Sequence, residues 1–184
     1  MEEYIDIVDQ NGKPTGVSAV KSEIHSKGHL HNTAHVWFYT LEGNILLQQR
    51  AATKTICPLL WDVSVAGHID AGETIEQAAI REAKEEIGLL ISEEQLIKIG
   101  VFKCFQSYSS GIIDNEFHNT FIAEVNINLE DLTPQKEEVE ALKFVSLSKF
   151  KALLNSSEIN NHFVTSNRKY YKFVVDAIKA KLTP

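Results

Sequence analysis

Apolar residues along the chain recur at two spacings, one suited to strands and one to helices. Tyr4, Ile5, Ile7 and Val8 form a short β-like run, followed by turn signals at Asn11-Gly12 and at residues 14–16. Val36-Trp37-Phe38-Tyr39 is a compact aromatic and β-branched run. Glu42-Gly43-Asn44 then turns the chain into Ile45-Leu46-Leu47, a pattern that predicts a hairpin. Residues 61–65 predict another short strand. Residues 74–87 carry the clearest helical period, with Ile80, Ala83 and Ile87 as the apolar stripe and Gly88 as the stop. Residues 96–105 and 117–125 predict two strands around a loop, and 142–145 a shorter one. Residues 147–154 and 168–182 predict amphipathic helices. Strands mixed with a few helices predict an α/β or α+β sandwich.

Composition narrows this picture. The chain has 184 residues, 43% of them hydrophobic and 23% charged, which suits one domain with a real core. The core is expected over residues 30–150, with a helical segment over 147–184. Lys plus Arg is 18 against 25 Asp plus Glu, a formal net charge of −7. That balance argues against binding a nucleic acid polymer by phosphate neutralisation, but not against a small substrate bridged by metal. Two cysteines, Cys57 and Cys104, make no disulfide framework. Residues 1–10 are acidic and alternating, unlike a signal peptide. No apolar run approaches the roughly 20 residues that cross a bilayer. The expected setting is cytoplasmic, with no membrane partner.

The candidate chemistry lies between Gly67 and Leu89. Gly67 is followed by Glu73, and then by Arg81-Glu82-Ala83-Lys84-Glu85-Glu86-Ile87-Gly88-Leu89. On a helix, Glu82, Glu85 and Glu86 stand at i, i+3 and i+4 and share one face. Carboxylates so clustered repel unless a cation compensates them, and hard oxygen ligands suit Mg²⁺ or Mn²⁺. Arg81 is placed to neutralise and orient a neighbouring glutamate.

This Gly, Glu and Arg pattern resembles the Nudix box at every polar position. The resemblance implies an α/β/α sandwich with a mixed sheet, in which a loop–helix–loop binds divalent metal. It also implies hydrolysis of a diphosphate linked to another moiety. By that resemblance Glu82, Glu85 and Glu86 are metal-site carboxylates, and Ala66, before the box glycine, adds its backbone carbonyl.

A second set of residues is similar to the isopentenyl-diphosphate isomerase branch of the same superfamily. Leu30-His31, Trp37, Gln48-Gln49-Arg50, Lys54, Pro58, Trp61, Gly67-His68 and Gly111-Ile112-Ile113-Asp114-Asn115-Glu116 carry it. The resemblance implies a metal held by His31, His68 and Glu116. His25 is a further candidate one residue out of register, and Asp114 matches another acid of the cluster. It implies that Arg50 and Lys54 hold the diphosphate. One position departs: the isomerases carry a proton-transferring cysteine where this chain has Ala66, and alanine has no ionisable proton. Cys57 and Cys104 lie elsewhere in the sequence.

The expectation is therefore a metal-dependent hydrolase of a nucleoside diphosphate derivative or other organic pyrophosphate. Arg81, Glu85 and Glu116 are its catalytic candidates, and the general base is left open among Glu85, Glu116, Glu137 and Glu138. The alternative, isopentenyl-diphosphate isomerisation, is disfavoured by Ala66. A non-catalytic binding module is disfavoured by the cost of keeping clustered carboxylates without use. His35 is expected to be a satisfied structural histidine, and Trp37 and Trp61 core residues. His162 carries no motif. Phe163, Tyr170, Tyr171 and Phe173 suit either core packing or a homodimer contact.

Overall fold

The computed structural model describes residues 2–156 and 168–183. His162 and Phe163 lie outside them. The strands are β1 (Tyr4–Val8), β2 (Pro14–Val20), β3 (His31–Tyr39), β4 (Asn44–Arg50), β5 (Trp61–Asp62), β6 (Val65–His68), β7 (Ile97–Ser107), β8 (Ile113–Glu124) and β9 (Val139–Ser146). The helices are α1 (Lys21–Lys27), α2 (Ile75–Ile87), α3 (Leu147–Asn155) and α4 (Arg168–Leu182).

β3 is the central strand. It runs parallel to β8 from His31↔Glu116 to Tyr39↔Glu124, and β8 pairs antiparallel with β7. On its other side β3 pairs with β6 from Thr33 to Val36 and touches β4 only at Tyr39↔Ile45. β4 pairs with β9 along its length and with β5 near its end. β1 and β2 form a separate two-stranded sheet.

Side chains alternate across β3. Ala34, Val36 and Phe38 face Ala78, Ala79, Ala83 and Ile87 of α2 in one core. Trp37 and Tyr39 point the other way, into a second core with Phe150 of α3 and Tyr170, Tyr171, Val174, Val175 and Ile178 of α4. Helices thus cover both faces of a mixed sheet, the α/β/α sandwich expected.

Several details differ from expectation. The hairpin of β3 and β4 is closed at its turn, where Thr40 N donates to Asn44 O at 2.9 Å, but it splits immediately after. Ser64 causes the split. Its hydroxyl accepts from Phe38 N at 2.9 Å and donates to Leu46 O at 2.6 Å, so it stands between the two strands. The single strand expected over 61–65 is consequently two, β5 on β4 and β6 on β3. Residues 14–16 begin strand β2 rather than a turn. The buried stripe of α2 runs through Ala78, Ala79, Ala83 and Ile87, leaving Ile80 half-buried. Tyr170 and Tyr171 are core residues, while Phe173 is 45% exposed beside Phe102.

α2 is well bounded. Thr74 accepts from Gln77 N and the Gln77 side chain accepts from Thr74 N, a reciprocal cap. Gly88 ends the helix at φ 72°, and a Cβ there would meet Thr133 at 3.1 Å. Gly88→Ala is expected to cost about 1–2 kcal/mol, read as a lower midpoint in denaturant at unchanged slope.

Candidate metal and diphosphate site

α2 delivers the carboxylates. Glu86, the penultimate residue of the helix, is buried, and its Oε2 accepts from Ala66 N at 3.4 Å. With its amide turned to donate, Gln48 reaches the same oxygen at 3.1 Å. Burial, and then repulsion from Glu82 and Glu138, pushes the Glu86 carboxyl well above its ordinary range. Burial raises Glu82 as well, against the pull of Arg81. A buried and a half-buried carboxylate, each made reluctant to ionise, are a donor set suited to a divalent cation.

Arg81 organises the rest. Its guanidinium holds Glu73 through two bonds, at 3.0 and 2.8 Å, and reaches Glu82 at 2.7 Å, Glu85 at 3.2 Å and the His68 carbonyl at 3.0 Å. One cation thereby contacts three glutamates and the box loop. Glu85 is the accessible member, with 54% of its side chain exposed.

Gly67 allows this arrangement. A Cβ there would lie 2.1 Å from the Glu82 carboxyl carbon. Gly67→Ala is expected to push Glu82 out of place. Mg²⁺ affinity should fall by at least tenfold in a calorimetric titration, with little change in melting temperature.

A second group of donors lies on the α4-facing side of β3. Residues His31, Thr33 and His35 share that face, and the parallel register sets them beside Asp114, Glu116 and His118 of β8. His68 arrives from β6, and His25 from α1. One ligand atom each from His25, His31, His68 and Glu116 lies within 4.8 Å of the others. His25 Nε2 and His68 Nε2 are 3.0 Å apart, and His31 Nε2 is 3.4 Å from Glu116 Oε1. Ligands of one metal at ~2.1 Å stand ~3.0–3.4 Å from each other.

The protonation pattern supports the same fit. His31 Nδ1 bonds the His29 carbonyl at 2.9 Å, and a carbonyl only accepts. In the neutral ring the Nε2 lone pair then faces a carboxylate. That nitrogen is buried without a hydrogen-bond partner, while His25 Nδ1 lies 3.2 Å from Asp114 Oδ1. Asp114 raises His25, whereas burial lowers His68. Burial works against ionising Glu116, yet the His118 bond and the nearby His31 ring hold it well below the carboxylate range.

Both donor groups, save the fully buried His31, line one cavity of about 660 Å³. Arg50 and Lys54, the residues expected at the diphosphate, line it too. Arg50 Nε donates to the Ile56 carbonyl at 3.1 Å and its Nη1 lies 3.6 Å from Asp62, while Lys54 is paired with Glu138. Glu3, Lys21, Asp62 and Cys104, which no motif singles out, also line the cavity, as do Tyr108, Tyr170 and Tyr171. Cys104, remote in sequence from the box, pairs in register with Glu116 and is hydrogen-bonded to His118. Burial lowers His118, but its bonds to Cys104 and Glu116 outweigh that and raise it to about 10. His35 Nδ1 bonds the Tyr170 hydroxyl at 2.9 Å, so this histidine is satisfied on one side. Trp37 is buried core, and Trp61 lies under the Lys143 ammonium, 3.5 Å from the ring centroid. No helix among the described residues is long and apolar enough to cross a membrane.

Comparison with known proteins agrees with this geometry. The chain is 37% identical over 162 residues to Nudix hydrolase 3 of Arabidopsis thaliana, covering 85% of this chain and 21% of that protein. It thus spans about a fifth of that relative's length. It is 36% identical over 161 residues to isopentenyl-diphosphate Delta-isomerase 2 of Photorhabdus laumondii, covering 85% of each. A solved structure from Deinococcus radiodurans superposes with a TM-score of 0.65 at 16% identity, over 84% of this chain and 90% of that one. The NUDIX domain matches residues 29–165, and by that match the chain is an enzyme of the Nudix family.

Proposed function

We propose that the chain hydrolyses the diphosphate bond of a small organic pyrophosphate, such as a nucleoside diphosphate derivative, in the cytoplasm with Mg²⁺ or Mn²⁺. The observation that carries this reading is the pair of carboxylates, buried Glu86 and half-buried Glu82, opening onto the cavity that Arg50 and Lys54 also line. Glu82, Glu85, Glu86 and the Ala66 carbonyl would hold the metal. His25, His31, His68 and Glu116 would hold a further divalent ion. When bound, the metal offsets diphosphate charge and acidifies a water.

The remaining work falls to side chains. Arg50 and Lys54 bind the far phosphate and fix its distance from the attacked phosphorus. Arg81 keeps Glu82 and Glu85 in position. Glu85, the accessible carboxylate, takes the proton of the attacking water. Glu116, engaged by His118 and facing His31, serves the histidine cluster rather than as that base.

A second reading, allylic isomerisation of isopentenyl diphosphate, draws on the isomerase-named relative and on Cys104. That thiol lines the cavity beside Glu116, although Ala66 denies a thiol at the position before Gly67. One assay separates the readings: Mg²⁺-dependent formation of phosphate and phosphate monoesters, the latter read through an added phosphatase, over a panel of nucleoside diphosphate derivatives and prenyl diphosphates, with dimethylallyl diphosphate monitored in parallel. Hydrolysis products without the dimethylallyl isomer are expected. Formation of the isomer without hydrolysis products would replace the first reading with the second.

A further inference from the structure

We propose that the cavity floor holds a second histidine metal position, made by His35, His118 and Glu116, and that Glu116 bridges it to the His25–His31–His68 position. This does not depend on which reaction the protein catalyses.

The strand register produces the arrangement. Asp114, Glu116 and His118 alternate onto the same face of β8 that His31, Thr33 and His35 occupy on β3. His31 stands opposite Glu116, and Thr33 opposite His118. Glu116 directs its two oxygens to different rings: Oε1 is 3.4 Å from His31 Nε2, and Oε2 is 2.8 Å from His118 Nε2. A carboxylate so divided has the geometry of a bridge between two ions, which two-metal sites place ~3.5–4 Å apart. One donor atom each from His35, Glu116 and His118 already lies within 4.8 Å of the others. The His35 and His118 rings stack, with centroids 4.1 Å apart and planes at 22°. An ion there needs a lone pair from each ring, so its binding releases the proton that His118 otherwise shares with Glu116.

The surroundings fit ligation. The Tyr170 hydroxyl occupies His35 Nδ1 at 2.9 Å and also accepts from Trp37 Nε1 at 2.8 Å, leaving His35 Nε2 to coordinate. Metal-bound histidines are oriented in this way through their second nitrogen. Between His31 and His35, the Thr33 hydroxyl is buried without a hydrogen-bond partner. That is a position from which it can bond a water or phosphate oxygen held between the two ions. Two imidazoles and a carboxylate favour a borderline ion (Zn²⁺, Fe²⁺ or Co²⁺) over Mg²⁺.

The test is a count of Co²⁺ per chain by equilibrium dialysis. The full chain carries Glu82→Gln and Glu86→Gln to remove the box site, and Mg²⁺ is present throughout. Two Co²⁺ per chain are expected. Adding His35→Gln and His118→Gln should leave one. Adding His25→Gln and His68→Gln instead should also leave one. A single Co²⁺ before the histidine changes overturns the proposal, and this count needs no histidine variant to fold. Two Co²⁺ surviving the loss of His35 and His118 would overturn it equally.

Discussion

Glu86→Gln is expected to lower diphosphate turnover about a thousandfold without unfolding the protein. Glu86 is a buried carboxylate on a helix whose neighbours fix its position: Ala66 N and Gln48 on one side, Ala83 and Ile87 packed into the core beside it. Metal stabilisation of charge in the transition state contributes several kcal/mol, and losing ~4 kcal/mol of it corresponds to ~10³ in rate. Stability should move the other way. The Glu86 pKa is raised in the folded chain by burial and by Glu82 and Glu138. Near neutral pH the unfolded chain carries this group ionised at little cost, so ionisation opposes folding there. A neutral amide of the same shape removes that opposition. A melting temperature equal to or above that of the parent, together with lost Mg²⁺-dependent turnover, is the combined result expected. Unchanged turnover would refute the assignment of Glu86, and a large drop in melting temperature would make its role structural.

Trp37→Ala is expected to destabilise the fold by about 3–5 kcal/mol, the largest stability effect of any substitution considered. Trp37 is fully buried and meets Phe150, Tyr170 and Tyr171 edge-on or tilted, so its loss opens a cavity where β3 meets α3 and α4. The indole N–H also donates to the Tyr170 hydroxyl at 2.8 Å, and that hydroxyl holds His35. Trp37→Phe keeps much of the volume and removes the donor, so it should cost less in stability than Trp37→Ala. Chemical denaturation of the two variants separates the packing part from the hydrogen bond. Equal losses in both would mean that the bond to Tyr170, not packing, dominates.

Helix α2 and its carboxylates were legible because one helix carries them, and helical spacing converts directly into a shared face. Glu82, Glu85, Glu86 and Arg81 need no knowledge of the rest of the fold. The histidine cluster was legible only through resemblance, since its members come from α1, β3, β6 and β8. His25 shows the limit. One residue of slippage in sequence is immaterial, because Gly28, at φ 65°, closes α1 before β3 begins and lets the helix set the reach of the ring. α1 itself gave little signal, being seven residues long with one buried residue, Ile24, and no side-chain cap. Cys104 and Tyr170 could not be placed by pattern. Cys104 reaches the cavity through the register of β7 on β8, and Tyr170 through the docking of α4, and neither is encoded locally. The split of β3 from β4 turns on one hydroxyl, that of Ser64, which no periodicity distinguishes from a loop serine.

The most direct test follows oxygen from labelled water. The protein is incubated in ¹⁸O water with Mg²⁺ and whichever panel pyrophosphate it turns over fastest, and the products are weighed by mass spectrometry. One ¹⁸O atom in a phosphoryl product per turnover is expected, with none when Mg²⁺ is withheld or when Glu86→Gln replaces the parent. Turnover of isopentenyl diphosphate to its allylic isomer, with no label in any phosphoryl group, would contradict hydrolysis as the reaction of this site.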